Sequence, residues 1–398
     1  MLFRSRNFTG KSVRVRDNKG VVDEMVKLRT EHGVRHFDWL DDDLLYDRDG
    51  IIELFDMIAE RLPDVTWAAN NGLIASAIKP EVLQAMQDCW EAGFANPGSQ
   101  HGFGRAARTR LEDARESIAE ILDADPAEVI FTSGGTEAIN LAVHGLTCGR
   151  RGTLLLTRGE HPAVREACEH AACYGLQQHE LPVNDQGLLC ENEAIRLLDD
   201  HTRLACLILA HNETGVLQNP AAFSSACQSH NVPLLLDAVQ AVGKVPVSFR
   251  RLGVAALAFG AHKFHGPRGV GGLLLRRGLR LTPLLHGGHQ EGGRRPGTEP
   301  VPLIVGMARA LQLWQTHHEE TTRYISNLRD QLEDLLRQNC APVRIHGSGT
   351  VRLANTVSIA FPGVSGEALL VNLHMAGVAC SLGSTCASGS AEAAPALL

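Results

Sequence analysis

The sequence predicts an α/β protein: a large domain on a mostly parallel sheet over residues 79–300, a smaller C-terminal α/β domain over 301–398, and a separate N-terminal α/β segment, 1–78. Three observations predict it. Short apolar runs at 153–157, 204–210, 232–236 and 254–259 alternate with stretches of helical spacing, as in buried parallel strands joined by helices. Residues able to do chemistry cluster just after those runs, where such sheets collect ligands. At 398 residues, 44% hydrophobic and 21% charged, the chain is long enough for more than one domain and a large core.

In chain order, 21–32 has helical spacing at Val22, Met25, Val26 and Leu28, 34–40 reads as a strand, 51–62 as an amphipathic helix and 65–69 as a second strand. Asp41, Asp42 and Asp43 read as a solvated loop, since three adjacent carboxylates cannot all face one ion. Residues 80–90 form a helix opened by Pro80, and 106–122 a longer one. Past 300, helical spacing at 305–314 and 323–338 predicts two helices, and 355–361 and 378–380 predict strands. Net charge of -7 gives no reason to expect nucleic acid as a partner. The ten cysteines, with no signal peptide and no membrane-length apolar run, point to the cytoplasm and reduced thiols. They form no paired CxxC zinc pattern.

The chemistry centres on Lys263, in the turn after the 254–259 run. A lysine at a strand end beside buried backbone loses hydration, which favours the free amine that a Schiff base with an aldehyde cofactor requires. Asp237 ends the 232–236 run, where a carboxylate can keep the ring nitrogen of pyridoxal 5'-phosphate protonated, and Gln240 follows at a spacing suited to the ring hydroxyl. Upstream, IFTSGGTE runs from a strand through Gly134 and Gly135 into a helix whose first N–H groups, with the Thr136 hydroxyl, suit a phosphate. Cys386 lies in GSTCAS, a loop of small residues that can carry a thiol towards and away from a cofactor. Cys89, Cys206, Cys227 and Cys380 read as buried, inert thiols.

From about Lys79 onwards, EVIFTSGGTEAINLA, EHPAV, HNETG, LLLDAVQAVGK, AHKFHGPRGVG, GGHQEGGRRPGTEPV and CSLGSTCASGS together resemble the NifS-like cysteine desulfurases of the class V aminotransferase family. The resemblance implies fold type I and pyridoxal phosphate as cofactor. It implies Lys263, Cys386 and His161 as catalytic residues, His161 stacking on the ring. Gly135, Thr136, Asn212, Asp237, Gln240, His262, Lys263 and Thr298 would bind cofactor, and Asn212 and Asn71 substrate. No resident metal is implied, a transient cluster on Cys386 excepted. The implied reaction turns L-cysteine into L-alanine and leaves a persulfide on Cys386 for an acceptor protein, scaffold or carrier, serving iron–sulfur assembly or tRNA thiolation. Arg295 and Thr298 match a segment that reaches the partner subunit's phosphate, which implies a homodimer.

The chain departs from that pattern in four places. Gly260 stands where the family has serine or threonine, and the text around Asn70 and Asn71 lacks the family's threonines and proline. The family's carboxylate-gripping arginine follows the cysteine loop beyond Leu398, so the chain as written is expected to turn over poorly. Residues 1–78 resemble instead an interior piece of radical S-adenosylmethionine enzymes, without a cysteine to hold their cluster. The alternatives are another class V lyase or aminotransferase, such as one acting on selenocysteine, and an impaired chimaera that binds only cofactor or partners.

Overall fold

The computed structural model describes residues 4–6, 13–15, 17–39, 48–69, 78–93, 95–375, 378 and 380–382. Asn71 and Cys386 lie outside them. The chain divides into two compact units, Met1–Ile78 and Lys79–Leu398.

In the first unit, strands β1 (Arg4–Arg6) and β2 (Val13–Val15) pair antiparallel. Helix α1 (Asn18–His32), strand β3 (His36–Trp39), helix α2 (Arg48–Arg61) and strand β4 (Thr66–Ala69) follow, and β3 and β4 pair in parallel. Asp17 caps α1 by accepting the Gly20 N–H, and Gly33 ends it at φ 67°, a left-handed position that glycine takes without steric cost. Val22, Met25, Leu54, Ile58 and Leu62 form this unit's own core, and Arg29 grips Asp64 with two hydrogen bonds of 2.7 Å.

The second unit opens with α3 (Pro80–Glu91) and α4 (Gly102–Ile121). Then β5 (Val129–Thr132), α5 (Gly135–Thr147), β6 (Gly152–Thr157), α6 (Pro162–Ala171), β7 (Leu176–Leu181) and α7 (Glu191–Arg196) alternate. They are followed by β8 (Thr202–Ile208), α8 (Ala221–Ser229), β9 (Leu234–Asp237), the short α9 (Phe249–Leu252), β10 (Ala256–Gly260) and β11 (Gly271–Leu275). These strands form one sheet in the order β5-β11-β10-β9-β8-β6-β7. Only β11 runs against its neighbours, so the sheet is mostly parallel, as the apolar runs predict. Every residue of β5, β9, β10 and β11 is buried, which is why β9 and β10 read as continuous apolar runs rather than alternating ones.

Helix α10 (Val301–Asn339) is continuous where the sequence predicts two helices. The 315–322 stretch is polar and almost wholly exposed but contains neither Gly nor Pro, so nothing breaks the helix where it leaves the core. Strands β12 (Arg344–Ile345) and β13 (Ile359–Ala360) pair antiparallel, and α11 (Gly366–Met375) follows. The strand expected at 378–380 does not form: 378 and 380 are in no strand, and 379 lies outside the described residues. Cys89, Cys206 and Cys227 are buried as expected, whereas Cys380, without a strand to bury it, is exposed.

Candidate active site

The parallel register places Asp237 at the centre of the sheet's carboxyl edge, level with Ile208 of β8 on one side and Ala258 of β10 on the other. It is 4% exposed and accepts the Val239 N–H at 3.0 Å. Burial pushes its carboxyl up to about 6, against the pull of that N–H and of the Lys263 ammonium. After β10 the chain winds into a single 3₁₀ turn, Ala261–Phe264, that carries His262 and the half-buried Lys263. Lys263 lies close enough to oppose protonation of His161, whose imidazole is held below its usual range first by burial and then by this ammonium. His161 is the N-cap of α6, and its Nδ1 accepts the Ala163 N–H at 3.0 Å. That bond assigns the ring proton to Nε2 in the neutral ring.

Ser133 and Gly134 join β5 directly to α5, the strand–turn–helix order the sequence predicts. The first intrahelical bond of α5 runs from Ala138 N–H to Gly134 C=O, so the N–H groups of Gly135, Thr136 and Glu137 are those a helix start leaves unpaired. A Cβ at Gly135 would lie 2.4 Å from Val239 Cγ2, so only glycine lets the helix start come this close to the Asp237 strand end. A Cβ at Gly260 would lie 3.4 Å from both the Gly135 nitrogen and the His262 ring, which places that strand end, the helix start and His262 around one space. Thr136 and Thr298 are exposed. Arg295 makes an ion pair with Glu137 of the same chain at 2.7 Å. Burial pushes the Glu137 carboxyl up, and hydrogen bonds from Arg295 and Ser133 more than offset it, leaving it below the usual range.

Asn212 is half-buried in the turn after β8. His211 organises that turn by accepting the N–H groups of Glu213 and Thr214 on Nδ1. Burial drives this imidazole down to about 4, so it stays neutral. Gln240 accepts a short hydrogen bond from Lys244. The structure therefore gathers Asp237, Gln240, His161, Asn212, Gly135, Thr136, His262 and Lys263 at one edge of the sheet, around strand ends and the turns after them.

Sequence reasoning passed over two other groups here. Glu160, beside His161, is 4% exposed; its Oε1 accepts the Thr157 hydroxyl and the Ile208 N–H, both at 2.8 Å, while Oε2 is buried without a partner among the described residues. Burial and the nearby Asp237 push this carboxyl up to about 8, against the two donors. Arg115 grips the buried Glu291 with two bonds of 2.7 and 2.9 Å, lies 4.5 Å over the Phe131 ring, and so fastens the 289–298 loop to β5 just before the turn into α5. The EHP and HQEGG motifs contain both glutamates, but nothing local in either motif announces burial.

A family model for class V aminotransferases matches residues 74–396, and the chain belongs to that family. Among its relatives there, it is 38% identical over 330 residues to a cysteine desulfurase of Trichormus azollae, covering 82% of each chain. It is 39% identical over 330 residues to the cysteine desulfurase NifS of Azotobacter vinelandii, covering 81% of each. Among solved structures, a NifS-like protein superposes with a TM-score of 0.73 at 35% identity, over 76% of this chain and 84% of that one. DndA from Streptomyces lividans gives 0.68 at 33%, over 75% and 86%.

Proposed function

We propose that the chain is a cysteine desulfurase dependent on pyridoxal phosphate, converting L-cysteine to L-alanine and leaving the sulfur as a persulfide on Cys386. The observation that carries this reading is the buried Asp237 at the strand end beside the Lys263 turn, in a chain whose curated relatives are desulfurases 37–40% identical to it.

The donors fit the cofactor. The Gly135–Thr136 cradle, with His262 beside it, suits a dianionic phosphate; Asp237 suits the ring nitrogen, His161 the ring face, Gln240 and Asn212 the ring oxygen, and Lys263 the aldehyde. Pyridoxal phosphate, when bound, supplies an electron sink for the pair left when Cα loses its proton. Lys263 takes that proton. Asp237, ionised at neutral pH once a cation faces it, keeps the ring nitrogen protonated, and the neutral His161 packs without adding charge. Asn212 and Asn71 orient the substrate. The Cys386 thiolate then attacks the cysteine sulfur: the S–S bond forms, the Cβ–S bond breaks, and the carbon left with the electron pair takes a proton to give alanine.

Thr298 is read as reaching a second copy's phosphate, which makes the working form a homodimer. Arg295, in the same segment, also pairs with Glu137 of its own chain at the start of α5. Among the described residues no helix is long and apolar enough to cross a membrane, and the cytoplasm is the proposed location. The persulfide sulfur passes to an acceptor protein, scaffold or carrier. The test is alanine release from L-cysteine by wild type and Lys263→Ala after loading with pyridoxal phosphate. Alanine from wild type alone is expected, and alanine from both would refute the role of Lys263.

A further inference from the structure

Lys244 lies in the turn after β9, seven residues beyond Asp237. Residues 238–245 wind tightly after β9, with Val242 N–H bonded to Ala238 C=O and Lys244 N–H to Ala241 C=O. Gly243 packs against Phe264, the residue after Lys263, so closely that a Cβ there would lie 2.2 Å from Phe264 Cβ. Lys244 is therefore anchored beside the Lys263 turn. It is half-buried, and burial first, then the Lys263 charge, holds its ammonium down at about 8. Among the described residues no carboxylate makes an ion pair with it, and its hydrogen-bond partner is Gln240 Oε1, one turn back.

A lysine ammonium only donates, so the atom it meets on Gln240 must be the oxygen, whichever way an amide would otherwise be assigned. The NH2 of Gln240 is then turned the other way, and among the described residues it has no acceptor. An amide held in this manner can meet a cofactor oxygen only as a donor. Donation favours the deprotonated form of that oxygen.

We propose that Lys244 is a positioning residue: by fixing Gln240 as a donor towards the pocket, it holds the cofactor's ring oxygen in its deprotonated state. The inference rests on the pocket being a pyridoxal-phosphate site. It assigns a task to a half-buried cation that makes no ion pair with a carboxylate among the described residues.

The test is a pH titration of the visible absorbance of bound pyridoxal phosphate, with no substrate present. Wild type, Lys244→Met, Lys244→Leu, Lys244→Arg and Gln240→Ala are compared with the double variant Gln240→Ala/Lys244→Met. Either neutral replacement of Lys244 should raise the midpoint by about one pH unit, a tenfold change in the proton equilibrium. Lys244→Arg, still a pure donor, should stay near wild type. In the Gln240→Ala background the Lys244→Met change should have no further effect, because the lysine acts through the amide. An equal shift in that background would mean that the lysine's charge acts directly, and would overturn the proposal. So would unchanged midpoints in both neutral variants. Wild type that takes up no pyridoxal phosphate would refute the proposed function and this inference together, whereas a wild-type band insensitive to Lys244 refutes the inference alone.

Discussion

At Ile208 two carboxyl groups meet one strand: Glu160 takes its N–H, and Asp237 lies level with it on β9. Both are buried, and two such groups cannot both carry charge without a large cost. Their surroundings separate them, since Asp237 has Lys263 nearby and Glu160 pairs with no cation among the described residues. Glu160 is therefore the neutral member at pH 7 and Asp237 the one that ionises. A carboxyl raised from 4.5 to about 8 on folding stabilises the fold fully below pH 4.5, and that contribution is lost as the pH rises through about 8. Glu160→Gln should remove this dependence, so wild type should lose on the order of a few kcal/mol relative to the variant across that window, read from urea unfolding at several pH values. A constant difference would mean that Glu160 is charged throughout. Asp237→Ala should bind pyridoxal phosphate about ten- to a hundredfold more weakly, the worth of a charge-assisted hydrogen bond, and should stop exchange of the substrate Cα proton. Undiminished exchange in that variant would remove the aspartate from the mechanism. Asp237 was legible because it ends an apolar run. Glu160 was not, because a glutamate in a turn next to Pro162 looks solvated until the strands that bury it are assembled.

Elements carry the site through their ends. The turn after β10, the turn after β9 and the start of α5 come together because glycines remove side chains at the contacts, as at Gly135 against Val239 and Gly271 against Gly134. Gly260 is different. Its backbone, at φ -139° and ψ 128°, accepts any residue, and a Cβ there would face the Gly135 nitrogen without a clash. Gly260→Ser should therefore place a hydroxyl at the phosphate cradle and tighten cofactor binding by about three- to tenfold, one neutral hydrogen bond's worth, measured by fluorescence titration with pyridoxal phosphate. Weaker binding would show that the cradle does not lie there. The strand runs were readable because burial on both faces leaves an uninterrupted apolar text. The antiparallel β11 was missed because its Gly271 and Gly272 read as the end of a loop, and Gly272 serves to admit the Phe259 ring, which a Cβ would meet at 2.3 Å. The continuity of α10 was missed because helical spacing fades where a helix has no core to face.

At the scale of the molecule, the family match begins at residue 74 and the second compact unit at Lys79, close to where the desulfurase text starts. The first unit has its own core, yet residues 1–78 contain no cysteine, and thiolates are what hold an iron–sulfur cluster. Anaerobic reconstitution of residues 1–78 with iron and sulfide should leave the visible spectrum without cluster bands; bands that appear and survive gel filtration would contradict this. Cys386 and Asn71 were named from motif alone, and both lie outside the described residues, so the sulfur-accepting step rests on the text of the GSTCAS loop and on the family. Sulfur transfer to Cys386 can be followed in a single turnover: the chain loaded with pyridoxal phosphate is mixed with one equivalent of L-cysteine, alanine is quantified, and the peptide carrying Cys386 is weighed by mass spectrometry. The predicted result is one sulfur gained on Cys386 for each alanine released, with neither product from Lys263→Ala and no persulfide from Cys386→Ser. Alanine released at an undiminished rate by Cys386→Ser, or sulfur recovered on another cysteine, would contradict it.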